Sequence, residues 1–155
     1  VEKAVECGAT ALIPIVSSRS VVRPDPREAE KYILKWQKNA DEALEQCERA
    51  WRMQVRAPLA WNDLVAKWKA CDANFVFVSE TRENGSKLFS ESWKKIEATA
   101  EKSVRICIGP EGGFSEQERE QLVDQGFLEL SLGAIVLRVE TAVVSALSYF
   151  RLARR

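Results

Sequence analysis

Two segments near the C-terminal end carry residues whose types and spacing could hold a small ligand. They are Ile108-Gly109-Pro110-Glu111-Gly112-Gly113-Phe114 and Leu130-Ser131-Leu132-Gly133-Ala134-Ile135-Val136-Leu137-Arg138-Val139-Glu140-Thr141-Ala142. Each follows an apolar run and enters a helical pattern. In the first, Pro110 sets one backbone angle, and Gly112-Gly113 allow positive φ and a close ligand approach. The helix N-terminus that follows favours a negative or electron-rich group. Glu111 would repel phosphate, so the ligand has few phosphates or none. The pattern is neither a P-loop nor a dinucleotide fingerprint. A tight strand-to-helix turn without a ligand would use the same residues. In the second segment Leu132, Ile135, Val136 and Leu137 can wall a slot for a flat ring. Arg138 could stabilise negative charge on a substrate or form a structural ion pair. Glu140 suits the first turn of a helix and could serve only as a cap.

Both segments need strands to deliver them. Apolar runs predict buried strands at Thr10 to Val16, Asn74 to Ser79, Val104 to Ile108 and Phe127 to Leu132, with a short one near Gln54 to Ala57. Residues 1–7 read as a helix closed by Gly8. From Arg27 to about Trp51, Ala29, Ile33, Trp36, Ala40, Ala43, Leu44, Cys47 and Trp51 keep a three-and-four spacing, a long amphipathic helix. Further helices are expected at Asn62 to Ala70, Ser92 to Ala100 and Val139 to Leu152. Ser115-Glu116-Gln117-Glu118 reads as a capping box opening a helix to Gln125, closed by Gly126. Strands alternating with helices give an α/β fold, a mostly parallel sheet with helices on both faces. No internal repeat or domain boundary is visible, so residues 1–155 form one domain. Val139, Ala142, Val143, Ala146, Leu147 and Phe150 make an apolar stripe on the last helix, whose other side is only weakly polar. That predicts deep burial or, preferably, packing against a partner subunit.

Composition bounds the function. With 46% apolar and 30% charged residues among 155, the chain reads as a soluble globular domain with a real core. No apolar run approaches the roughly 20 residues of a membrane span. The opening Val1-Glu2-Lys3-Ala4 has neither an initiator Met nor a signal-peptide pattern, so a fragment is expected. The absence of histidine excludes Ser-His and Cys-His catalysis and most catalytic zinc sites. Cys7, Cys47, Cys71 and Cys107 form no Cys-x-x-Cys pair and are expected to be buried free thiols, in a reducing compartment. Charges balance at 23 of each sign, so any RNA site must be a local patch. Arg19, Arg49, Arg52 and Arg56 with Trp51 are the best candidates; a solvated helix end would use the same residues.

The residues also resemble a known family. Ile108 to Gly113, followed by Leu132, Gly133, Leu137, Arg138, Glu140, Thr141 and Ala142 in register, resemble the loops of RsmE-type 16S ribosomal RNA uridine-N3 methyltransferases of the SPOUT superfamily. Upstream, Lys3-Ala4, Glu6 and Gly8-Ala9 resemble the family's entry segment. Ile13-Pro14-Ile15 with Ser17 to Ser20 resembles its serine-arginine loop, and Trp36, Ala43, Glu45, Gln46 and Arg49 its long helix. The likeness runs from about residue 2 to 147.

It implies a C-terminal trefoil knot, an exception to unknotted topology. It also implies S-adenosylmethionine as methyl donor, a homodimer, ribosomal RNA or the small ribosomal subunit as partner, no metal, and the cytoplasm or an organelle interior. The donor's sulfonium cation and amino-acid tail suit a loop bearing Glu111. On this likeness Val78, Glu80, Ile108, Gly109, Pro110, Glu111, Gly112, Gly113, Leu130, Leu132, Gly133, Leu137 and Thr141 would hold the donor. Arg138 would stabilise charge on the uracil oxygens, and Glu140 or a water would take the N3 proton. Arg19, Arg49 and Arg52 would meet RNA. The chain departs from the family at Ser18, usually acidic, at Ala134-Ile135, often Pro-Arg, and at Val139, often Thr. The family's N-terminal PUA-like domain is expected to be missing. Two alternatives stand beside this reading: a SPOUT enzyme modifying a tRNA base or a ribose hydroxyl, or an inactive ligand- or RNA-binding module.

Overall fold

Proline interrupts both N-terminal extended segments. In the computed structural model, which describes residues 1–21, 23, 25–68, 74–78, 87–88, 96 and 103–153, the run predicted as one strand is two: β1 (Ala11–Leu12) and β2 (Ile15–Val16). They pair in parallel with β3 (Gln54–Val55) and β4 (Leu59–Ala60), which Pro58 separates. Proline has no N–H for a ladder. Its carbonyl still serves: Pro14 O accepts the Leu59 N–H at 2.9 Å. β4 lies beyond Pro58, where no strand was expected.

Helix α1 (Glu2–Glu6) ends at Gly8, with φ +93°. Pro26–Glu28 form one 3-10 turn leading into α2 (Ala29–Gln46), shorter than its apolar spacing suggested. It stops because Glu48 turns left-handed, φ +52°, and Arg49 N–H bonds back to Leu44 O at 3.3 Å. Gln37 on α2 then works as a surrogate strand edge. Its Oε1 accepts the Val55 N–H at 2.9 Å and its Nε2 donates to Met53 O at 3.0 Å.

The central sheet contains β5 (Asn74–Val78), β6 (Lys87–Leu88), β7 (Val104–Ile108) and β8 (Leu128–Ser131). All neighbours are parallel, in the order β6-β8-β5-β7, so the last strand in sequence sits between two earlier ones. Val76 and Val78 of β5 join Ile96 and Leu130 beneath α5 (Val139–Ala153), where Ala146 and Phe150 close the core. Phe77 points to the opposite face, as a two-residue period requires. There it meets Leu64 and Trp68 of α3 (Trp61–Trp68), Leu122 of α4 (Glu116–Asp124), Cys107, Phe114 and Phe127. Helices therefore cover both faces. A third cluster, of Ala4, Val5, Ala40, Ala43, Met53 and Val55, joins α1, α2 and β3.

The stripe on α5 expected to meet a partner is largely covered by the chain itself. Ala142, Ala146 and Phe150 are buried, while Val143 and Leu147 pack against the third cluster. The cysteines divide. Cys107 is buried, and desolvation pushes its thiol up to about 12. Cys7 is half-buried, and Cys47 is exposed, contrary to expectation, because it caps the end of α2. Cys71, residues 80–86 and the helix expected at 92–100 fall outside the described residues, except for the buried Ile96.

Candidate cofactor site

Val78 lies opposite both Ile108 and Leu130, so β5, β7 and β8 end level. The loops after β7 and β8 consequently open on one edge of the sheet, the usual ligand edge of parallel α/β folds. In the first loop Gly113 N–H bonds to Pro110 O at 2.8 Å, and Gly113 has φ +64°. Phe114 then folds beneath the loop. It packs tilted on Trp61, with ring centres 5.7 Å apart, and edge-on to Phe77 at 6.1 Å. Helix α4 starts with the predicted capping box. Ser115 Oγ accepts the Glu118 N–H at 3.3 Å, and Glu118 Oε2 accepts the Ser115 N–H at 2.9 Å.

A third segment buttresses this loop. Arg19 Nη1 donates to Gly112 O at 2.8 Å. A Cβ on Gly112 would lie 3.4 Å from Arg19 Cβ, so the stem of Arg19 runs along the glycine. Ser18 N–H donates to Glu118 Oε1 at 2.7 Å.

The second loop, residues 132–138, is held more lightly. Ser131 Oγ accepts the Gly133 N–H at 3.3 Å and donates to Gly133 O at 3.1 Å. Gly133 has φ +116°, which side chains rarely adopt, yet among the described residues nothing crowds it within 4 Å. Ala134, Ile135 and Val136 are exposed.

Between the loops lies a cleft of about 320 Å3. Val78 and Ile108 contribute from the strand ends. Gly109, Gly112, Gly113 and Phe114 contribute from the first loop, and Leu132, Gly133, Ile135 and Leu137 from the second. Val139 and Ala142 of α5, with Arg19, Glu116 and Arg119, complete it.

The structure thus brings Val78, Ile108, Gly109, Gly112, Gly113, Leu132, Gly133 and Leu137 together from three separate segments. Pro110 and Glu111 belong to the same turn without lining the cleft, and Glu111 is exposed. The Leu130 side chain is fully buried in the core against Val76 and Val78. Arg138, Glu140 and Thr141 are exposed at the start of α5, beside the cleft-lining Val139 and Ala142. Glu80 lies outside the described residues.

The arginines expected to meet RNA serve different ends. Arg19 is on the cleft. Arg49 donates to Val5 O at 2.9 Å and Ala9 O at 2.5 Å, closing the C-terminal end of α1, with its guanidinium 4.9 Å from the Trp51 ring centre. Burial lowers its pKa. Arg52 grips both oxygens of Asp41, at 2.7 and 2.6 Å, which lowers the pKa of Asp41 and raises its own. Arg56 is exposed.

Sequence reasoning missed Phe114, Glu116, Arg119, Val139 and Ala142 as lining. Arg119 pairs with Glu116 at 3.1 Å and Glu129 at 2.8 Å, and its buried Nε has no hydrogen-bond partner among the described residues. Glu116 and Arg119 stand one helical turn apart in α4, so the helix start itself was the available signal. Among the described residues no group of His, Cys, Asp or Glu could hold a metal ion, and no helix is long and apolar enough to cross a membrane.

Residues 1–151, almost the whole chain, match the RNA methyltransferase domain family. The chain belongs to that family. It is similar to ribosomal RNA small subunit methyltransferase E of Bacillus subtilis (strain 168), 35% identical over 150 residues, covering 96% of this chain and 57% of the relative. A Legionella pneumophila protein put forward as a methyltransferase and solved with bound SAM superposes with a TM-score of 0.81 at 30% identity, covering 98% of this chain and 59% of that one. Ribosomal RNA small subunit methyltransferase E of Neisseria gonorrhoeae, solved bound to S-adenosyl methionine, superposes with a TM-score of 0.77 at 27% identity, covering 98% and 58%. This methyltransferase domain thus spans a little over half the length of these relatives.

Proposed function

We propose that this chain is the catalytic domain of an S-adenosylmethionine-dependent methyltransferase acting on N3 of a uridine in small-subunit ribosomal RNA. The observation that carries the reading is the cleft between two glycine loops, in a fold shared with relatives solved with that donor. The cleft suits the donor. At about 320 Å3 it lies at the small end of the roughly 300–1,000 Å3 range of ligand pockets. Ile108, Leu132, Ile135 and Leu137 offer an apolar slot for adenine, and the main chain of Gly109 to Gly113 offers polar atoms for the sugar and amino-acid tail. The rim carries both signs, Arg19 and Arg119 with Glu116, matching a ligand that has a carboxylate and two cationic centres.

When bound, S-adenosylmethionine supplies an electrophilic methyl group. The two loops hold it still, and alignment with the acceptor nitrogen then supplies much of the rate. Arg138, exposed at the start of α5, stabilises the negative charge that develops on the uracil oxygens as N3 loses its proton. Glu140 or a water takes that proton. The uridine must be unpaired or flipped out, because N3 is otherwise hidden in a base pair. Arg19 at the cleft is the arginine best placed for RNA. Arg49 and Arg52 would reach it only by giving up Val5, Ala9 and Asp41. A trefoil knot belongs to this reading through the family likeness alone, and exposed Ile135, Val136 and Leu152 support a homodimer. The cytoplasm is the matching compartment.

The test is product mapping. The chain is incubated with methyl-labelled donor and either small-subunit rRNA or intact small subunits, and the RNA is digested to nucleosides. Label in 3-methyluridine is the expected result. Label in a ribose-methylated nucleoside, or only in added tRNA, would move the assignment to another branch of the superfamily. Arg138→Ala is expected to cut turnover by about 10²-fold or more, the usual effect of removing a group that stabilises developing charge, with donor affinity unchanged.

A further inference from the structure

Glu118 has one more bond than its capping box needs. The box uses Oε2, which accepts the Ser115 N–H at 2.9 Å. Oε1 accepts the main-chain N–H of Ser18, 100 residues earlier, at 2.7 Å. The side chain is buried, and such charge-assisted bonds are among the strong ones. The segment it grips is a self-closed unit. Ser17 N–H bonds to Ser20 Oγ at 3.0 Å, and Ser20 N–H to Ser17 O at 3.3 Å. The next residue, Arg19, holds Gly112 O at 2.8 Å. Neighbouring residues of one small loop are therefore tied to both ends of the segment from Gly112 to Glu118. Gly112-Gly113 has little resistance of its own to backbone rotation. The peptide between them is held at two points, its N–H on Pro110 O at 2.8 Å within the turn and its carbonyl on Arg19, the tie that comes from outside the loop.

We infer that Glu118 is a positioning residue for the methyl donor, acting through Ser18 and Arg19 to hold the Gly112 peptide at the cleft. This rests on the proposed donor site and adds a residue that does not line the cleft.

The test is a double-mutant cycle on S-adenosylmethionine binding, read by calorimetry on the complete chain. Glu118→Gln leaves one acceptor for two N–H groups. Arg19→Met keeps the stem over Gly112 but loses the donor. Each is expected to weaken binding roughly 10-fold, the scale of one lost hydrogen bond to a charged group. The double variant should be no weaker than the poorer single, because both cut one path. Ser115→Ala loses the Oγ half of the box, keeps both Glu118 bonds and should bind within about 2-fold of the parent. Should Glu118→Gln not fold, Glu118→Asp, which keeps the charge and shortens the reach, takes its place in the cycle. Multiplying effects, an unchanged Glu118 variant, or a Ser115→Ala loss equal to that of Glu118→Gln would each overturn the inference. Failure of the unmodified chain to bind would instead overturn the donor site itself, and the inference with it.

Discussion

The two walls of the cleft are built in opposite ways. The first loop is tied from outside at Gly112 and, just beyond it, at Glu118, rests on a buried phenylalanine and enters a capped helix. Among the described residues the second is tied to its own flanks, through Ser131 and Ala142, and exposes Ala134, Ile135 and Val136. Their glycines differ accordingly. Gly112 makes room for Arg19, whereas Gly133 meets no described neighbour and has a backbone angle that side chains resist. One wall is preset, and the other takes its shape from its backbone and from whatever it meets.

The largest expected effect lies beneath the first wall. Phe114→Ala removes a buried ring from between Trp61 and Phe77 and should cost about 3–5 kcal/mol in a urea titration. A loss below about 1 kcal/mol would mean that the first loop is not preset by its core. Gly133→Ala should cost roughly 1–3 kcal/mol, from backbone strain alone at φ +116°. A neutral result would show that the second loop simply relaxes, sharpening the contrast.

Cys107, in the strand that feeds the first loop, reads how closed that side is. Its thiol is raised from 9.0 to about 12, so the folded state holds a proton that the unfolded chain releases. Its contribution to stability is full below about pH 9 and is lost as pH climbs toward 12. At pH 8 a thiol reagent should therefore label exposed Cys47 and leave Cys107 unmodified until denaturant is added. Equal labelling of the two would contradict a closed first wall. The smallest effect belongs to Ile135→Ser, 76% exposed, which should leave stability within about 0.5 kcal/mol. A larger loss would show that the second wall is packed after all.

What was legible in the sequence was local. The bounds of β7, the Ser115–Glu118 box and the two glycine loops all follow from residues a few places apart. So does the meeting of those loops, because parallel strands end on a common edge. The remainder depended on contacts between distant residues. Three-and-four spacing carried α2 on to Trp51, but one left-handed residue, Glu48, stopped it at Gln46. Cys47 kept that apolar spacing yet caps the helix in solvent. Arg49 and Arg52 looked like a free basic patch until Val5, Ala9 and Asp41 arrived beside them. The second bond of Glu118 joins residues 100 apart, beyond any periodicity.

The central claim is that this cleft binds a methyl donor. The most direct measurement is a calorimetric titration of the chain with S-adenosylmethionine, with its mass in solution taken on the same sample. Saturable binding of about one donor per chain, with the mass of a dimer, is the predicted result. A folded chain that takes up no donor would contradict the account at its root.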